Sequence, residues 1–127
     1  MDADYADVEY EPDRTWPFQF ALFVQGMVIS ANVPGMVTVD AGTKAFALNG
    51  PKPRVFSGPL ADARYEFAGD EHGRLHLPEG MTAPDIGARV EFIVPHCDPT
   101  VALYDVYHCV RGDRVVETWP VDARGRR

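Results

Sequence analysis

Prolines and glycines cut this chain into short pieces. There are 11 of each in 127 residues, spread along its whole length. The segments between them are rich in Val, Phe, Tyr and Ile and are bounded by turn residues, as strands require. Strands are predicted at Phe18–Ala31, Met36–Val39, Lys44–Leu48, Arg54–Phe56, Arg64–Ala68, Arg74–Leu77, Arg89–Val94, Tyr104–Arg111 and Val115–Val121. No window of normal helix length carries a 3.6-residue apolar period. One helical turn is predicted at Asp98–Leu103, with Asp98 as cap and Pro99 at the first helical position. The fold class that follows is all-β: a compact barrel or sandwich with at most one or two short helical turns. The length suits a single domain over residues 1–127, and no internal repeat is visible.

Charge narrows the partners. Nineteen acidic residues against 12 basic ones give a formal charge of −7. A surface of that sign does not suit nucleic acid or anionic lipid. The opening MDADYADVEYEPD is acidic, unlike a secretory or mitochondrial leader. The run Phe20–Ile29 is too short to span a bilayer. Two cysteines, Cys97 and Cys109, are too few for a disulfide scaffold. A cytoplasmic setting is the expectation.

Two motifs near the end read as local chemistry. Arg111–Asp113 spells RGD, but between two predicted strands Gly112 supplies a hairpin turn. The closing RGRR reads as a solvated terminus. His108 and Cys109, adjacent in a strand, point to opposite faces and make a poor catalytic dyad.

The stretch VEFIVPHCDPT is the chemically pointed one. A core-like strand ends in His96, Cys97 and Asp98, fenced by Pro95 and Pro99. In an extended chain His96 and Asp98 share a face and Cys97 takes the other. That pattern places one nitrogen and one oxygen on a single divalent ion. It equally fits a hydrogen-bonded His–carboxylate pair, or an Asp98 that only caps the next turn. Cys97 reads as a small apolar residue.

VPHCDPTVALYDVYHCVRGDRVVETWPVDARG resembles the C-terminal end of D-threonine aldolase-type enzymes, relatives of D-serine dehydratase. MDADYAD, FALFVQGMVIS, VTVDAGTKAFALNGPKPRV and GDEHGRLHL resemble further segments of that family, in its order. The resemblance implies a C-terminal β domain that closes over pyridoxal phosphate held by an N-terminal barrel. It puts the family's metal ligands on His96 and Asp98. The dehydratase branch has Cys where this chain has Asp98 and binds zinc. An oxygen ligand suits manganese, and also magnesium or calcium, better than zinc. The implied reaction is retro-aldol cleavage of a D-3-hydroxy amino acid to glycine and an aldehyde.

Asp40, Glu71 and His72 lie in the segments the resemblance would turn toward the cofactor; Asp40 equally reads as making a backbone hydrogen bond, and Glu71 and His72 as shaping a loop. Lys44 does not match the setting of the Schiff-base lysine, and Lys52 is the only other lysine. No catalytic residue is assigned within this chain. The expected partner is a pyridoxal-phosphate barrel, in the same or a separate chain. Without it the domain is expected to be inactive. The readings that stay open are a standalone metal-binding or interaction module, self-associating as a homodimer, and a D-serine dehydratase-like domain.

Overall fold

The structure is a computed structural model that describes residues 19–122 and 124. The opening acidic segment, Phe18 and the last three residues of RGRR lie outside the described residues. Strands β1 (Phe23–Val33), β2 (Met36–Val39), β3 (Arg54–Val55), β4 (Arg64–Phe67), β5 (Gly73–His76) and β6 (Arg89–Ile93) form one antiparallel sheet. A five-residue helix, α1 (Cys97–Val101), follows. Strands β7 (Val106–Arg111) and β8 (Arg114–Pro120) make a separate two-stranded sheet.

The order in the large sheet is β3-β6-β1-β2-β5-β4. Its edge strands β3 and β4 touch, so the sheet curls into a nearly closed barrel. β1 makes this possible by changing partner along its length. Phe23–Met27 pair with β6, and Val28–Val33 pair with β2 across two register shifts. Irregularities of this kind bend a strand and re-aim its neighbours. β1 and β2 are joined by Pro34-Gly35, with Gly35 at φ 73°. Pro followed by a glycine of positive φ is the type II pattern.

Alternation fills the interior. Val37 and Val39 of β2, Leu75 of β5 and Phe92 of β6 are fully buried. Phe46, Tyr65 and Phe92 meet edge-on, with centroids 5.5–5.7 Å apart, the offset geometry aromatic quadrupoles favour. The Tyr65 hydroxyl donates to the carbonyl of Ala41 at 2.6 Å. Burial raises its phenol above the usual value.

Two expectations are corrected. Lys44–Leu48 is not a strand but a series of turns. Its N–H groups find partners outside any ladder. Thr43 donates to Gly69 O and Lys44 to Asp70 O, both at 3.0 Å. Ala45 donates to Gly42 O at 3.0 Å, and Ala47 to the Thr100 hydroxyl at 3.1 Å. Backbone groups satisfied in this way have nothing left to offer a sheet. The helix also starts two residues earlier than an Asp98 cap would place it. Its cap is His96, extended at φ −149°, ψ 125°, with no side-chain cap bond. Asp98 therefore sits in the first turn, not at the cap, and Pro99 is the third helical residue. Proline is tolerated there because first-turn N–H groups lack intrahelical partners anyway.

On the outer face of β4–β5, His76 Nε2 donates to Glu66 Oε2 at 2.5 Å, and Arg74 lies 3.5 Å from Oε1. The His76 hydrogen bond, ahead of the nearby positive charges, holds the Glu66 carboxyl below its ordinary 4.5. A carboxyl depressed by folding stabilises the fold above its ordinary value, and that support is lost as pH falls through the lowered one. Glu66→Gln should therefore flatten the loss of stability below about pH 4.5 in a series of urea melts. Identical slopes for the two proteins would rule this pairing out as a source of acid sensitivity.

Candidate metal centre

The junction of β6 and α1 is built by burial on one side and a turn on the other. Val94 and Pro95 are buried and fix where the chain leaves the barrel. His96, half-buried, ends the extended segment, and Asp98 projects from the exposed side of the first helical turn. Because the chain turns helical at Cys97, the alternation argument does not carry from His96 to Asp98. Cys97 packs, partly buried, against the core. Two residues of chain span at most about 7 Å. One imidazole and one carboxylate at that separation match a divalent ion in kind. Among the described residues no cluster of three or more His, Cys, Asp or Glu is assembled for a metal, so the fit is of two donors, not a closed cage.

The helix is anchored from below. Thr100, 2% exposed, accepts the Ala47 N–H. The Tyr104 hydroxyl donates to Ala45 O at 3.0 Å. These bonds lay residues 45–49 along α1, and they bring Asn49 Nδ2 to 3.2 Å from His96 Nδ1. Sequence spacing offers no signal for this contact, since the two residues are 47 positions apart.

The other sequence-predicted residues occupy a second place. Asp40 closes a ring with β1: its N–H donates to Met27 O at 3.1 Å, and its Oδ1 accepts the Met27 N–H at 2.6 Å. Glu71 pairs with the Lys44 ammonium, and this hydrogen bond, more than any other influence, raises the Lys44 pKa. Thr43 donates to Asp70 Oδ1 at 3.2 Å. His72 is exposed beside Glu71. The DAGTK and GDEHG segments are thus docked on each other. A cleft of about 1000 Å³ lies elsewhere, between the first half of β1 and β7, lined by Phe23, Gln25, Tyr104 and Tyr107. It includes neither His96 nor Asp98.

Residues 21–110 match the family described as the putative serine dehydratase domain. The chain belongs to that family. A D-threonine aldolase from Arthrobacter is 36% identical over 98% of this chain, which covers 32% of that relative. The crystal structure of D-threonine aldolase from Filomicrobium marinum superposes with a TM-score of 0.85 at 38% identity, over 98% of this chain and 34% of that one. The chain thus spans about a third of the length of these enzymes. An uncharacterized protein of Mycobacterium tuberculosis is 29% identical over 93% of this chain and is itself covered over 94% of its length. Among the described residues, no helix is long and apolar enough to cross a membrane.

Proposed function

We propose that this domain is the metal-binding C-terminal part of a D-threonine aldolase-like lyase that cleaves D-3-hydroxy amino acids to glycine and an aldehyde. The observation that carries the reading is the end-to-end likeness to D-threonine aldolase, with a TM-score of 0.85. The remaining two-thirds of such an enzyme supplies the partner: a barrel that binds pyridoxal phosphate, on the same or a separate chain, in the cytoplasm. His96 and Asp98 would hold the ion through one nitrogen and one oxygen, a set that suits manganese, and magnesium or calcium before zinc.

Pyridoxal phosphate, when bound, supplies the electron sink for the cleaved bond. The ion supplies Lewis-acid polarisation of a substrate hydroxyl. The residues of this chain do the placing. The buried Val94–Pro95 step and the Thr100 anchor fix the junction, so the two donors project from a stiff support. His96 and Asp98 are the two donors that this chain would offer such an ion. Asp40, Glu71 and His72 are assigned to the cofactor-facing surface of the domain.

The full-length match to the mycobacterial protein favours a second reading, a standalone metal-binding or interaction domain. A serine dehydratase-like activity is the third, and the carboxylate at Asp98 speaks against a zinc enzyme of that kind.

Manganese should raise the melting temperature of the 127-residue chain. At 100 times the dissociation constant the gain is about 2.7 kcal/mol, on the order of 10 °C for a domain this size. Asp98→Ala should abolish the rise, and a rise that survives in the variant would remove Asp98 from the site. With pyridoxal phosphate, manganese and D-threonine added, the chain alone should release no glycine. Turnover above the free-cofactor background would overturn the need for the barrel.

A further inference from the structure

We propose that the cleft between β1 and β7 receives a neutral or basic extended segment from the part of the lyase that this chain lacks, laid in as a β-strand that joins the ribbon to the large sheet. The inference rests on the reading of this chain as part of a longer enzyme, and it adds where the two parts meet. The walls of the cleft are strand edges. Each residue from 21 to 25 lines one side, and each from 106 to 110 the other. Side chains alternate along a strand, so a wall made of a strand's face would show every second residue only. β8, behind β7, contributes no lining residue, and β6, behind β1, contributes only Glu91. Both edges lack a strand among the described residues. Residues 23–26 pair with β6 on one side, and β2 joins β1 only from Val28. β7 pairs with β8 alone.

In an antiparallel pair, alternate residues turn their N–H and C=O away from the partner strand. Each wall therefore presents main-chain donors and acceptors to the gap. Open edges of this kind add strands, and an extended peptide between two of them bonds on both sides. The lining sets the chemistry of the occupant. Val94, Val101 and Tyr104 lie between the walls and suit an apolar residue at every second position. No Lys or Arg lines the cleft, while Glu91 and Asp105 do. Arg124 offsets Asp105, and Glu91 is exposed. A neutral or basic strand is favoured over an acidic one on that account. The chain's own opening is acidic at every charged position up to Asp13, so it is the wrong strand for this place. This chain covers 32% and 34% of the two D-threonine aldolases it matches, which leaves most of such an enzyme to provide the right one.

The test uses the 127-residue chain and amide hydrogen exchange. The probes are overlapping peptides of about ten residues, the length of a strand, covering the part of the Arthrobacter D-threonine aldolase that this chain does not match. Main-chain pairing tolerates differences in side chain, so a relative's segment can serve. In the chain alone, the cleft-facing amides of residues 23–26 and of β7 should exchange fast. One neutral or basic peptide with alternating apolar residues should slow both sets by about tenfold or more. N-methylation of that peptide at alternate residues should weaken its binding about tenfold or more, since each blocked donor removes a main-chain bond. Glutamate placed at its polar positions should weaken it too, and less so against Glu91→Gln. If no peptide protects both edges, the proposal is overturned. Protection already present in the chain alone also overturns it, because the cleft then belongs to the chain's own opening or to a second copy. The unmatched part of the relative, added whole, separates the two levels. If it binds and leaves both edges unprotected, strand insertion falls and the partner domain stands. If it binds nowhere on this chain and no peptide does, the reading of a longer lyase falls as well.

Discussion

Gly42→Ala should melt about 10 °C or more below the wild type, a loss of roughly 3 kcal/mol. A Cβ at this position would stand 2.4 Å from Gly69 O, 2.4 Å from His72 N and 2.5 Å from Asp70 O. All three atoms are backbone, so no side chain can swing aside. Relief requires moving the 69–72 loop away, which stretches the bonds from Thr43 and Lys44 to it. Each such bond contributes about 1 kcal/mol, on top of the overpacking itself. The constraint is space, since Gly42 is not among the glycines of positive φ. Gly35→Ala is the contrast. Gly35 has φ 73° and nothing within 4 Å of its virtual Cβ, so only the left-handed backbone resists, at about 1–2 kcal/mol. Circular dichroism melts of the two variants decide the matter. A Gly42→Ala protein no less stable than Gly35→Ala would mean that the two loops are not locked together.

The second large effect is in the core. Phe92→Ala should cost about 3–5 kcal/mol, a large share of the 5–15 kcal/mol that holds a typical domain. Phe92 is fully buried on β6, against Phe46 and Tyr65 at centroid distances of 5.5 and 5.7 Å. It also lies beneath Gly26, whose virtual Cβ would meet the ring at 3.3 Å. The ring thus joins β6, β1, β4 and the 42–48 turns. Removing it leaves a cavity with four different walls, and no single one can fill it by a rotamer change. Phe92→Leu, which keeps much of the volume, should cost about 1–2 kcal/mol. Urea midpoints measure both. A Phe92→Ala loss below about 1 kcal/mol would show that the barrel interior collapses freely.

Much of the barrel can be read from local pattern. Met36–Val39 alternates, and the structure keeps those bounds unchanged. Gly112 makes the hairpin turn, with φ 62°, and Asp113 has no positive φ, the pattern of a type II′ turn. Lys44–Leu48 misleads because Phe46 does point into the core as a strand residue would. What decides its conformation is the supply of hydrogen-bond partners from residues 69–70 and Thr100, which no local window contains. The site divides in the same way. His96 and Asp98 stand out because their chemistry is adjacent in sequence. Asn49 and Thr100 do not, because tertiary packing alone brings them to α1. The helix start moved because a proline in the first turn looks much the same at its first or third position.

The β7–β8 hairpin carries a consequence for motion. No residue of β8 is buried, and Val110, Val115 and Trp119 are 60%, 59% and 52% exposed. Two-stranded ribbons with so little apolar surface hidden are marginal in water. Opening this one gives up its cross-strand bonds and little else, while opening the barrel gives up the whole core. The domain therefore has two scales of cooperativity: a barrel that opens only near the global unfolding free energy, and a ribbon free to open locally at far smaller cost. The β6–α1 junction belongs to the first, so the ribbon can fluctuate without loosening the support beneath His96 and Asp98.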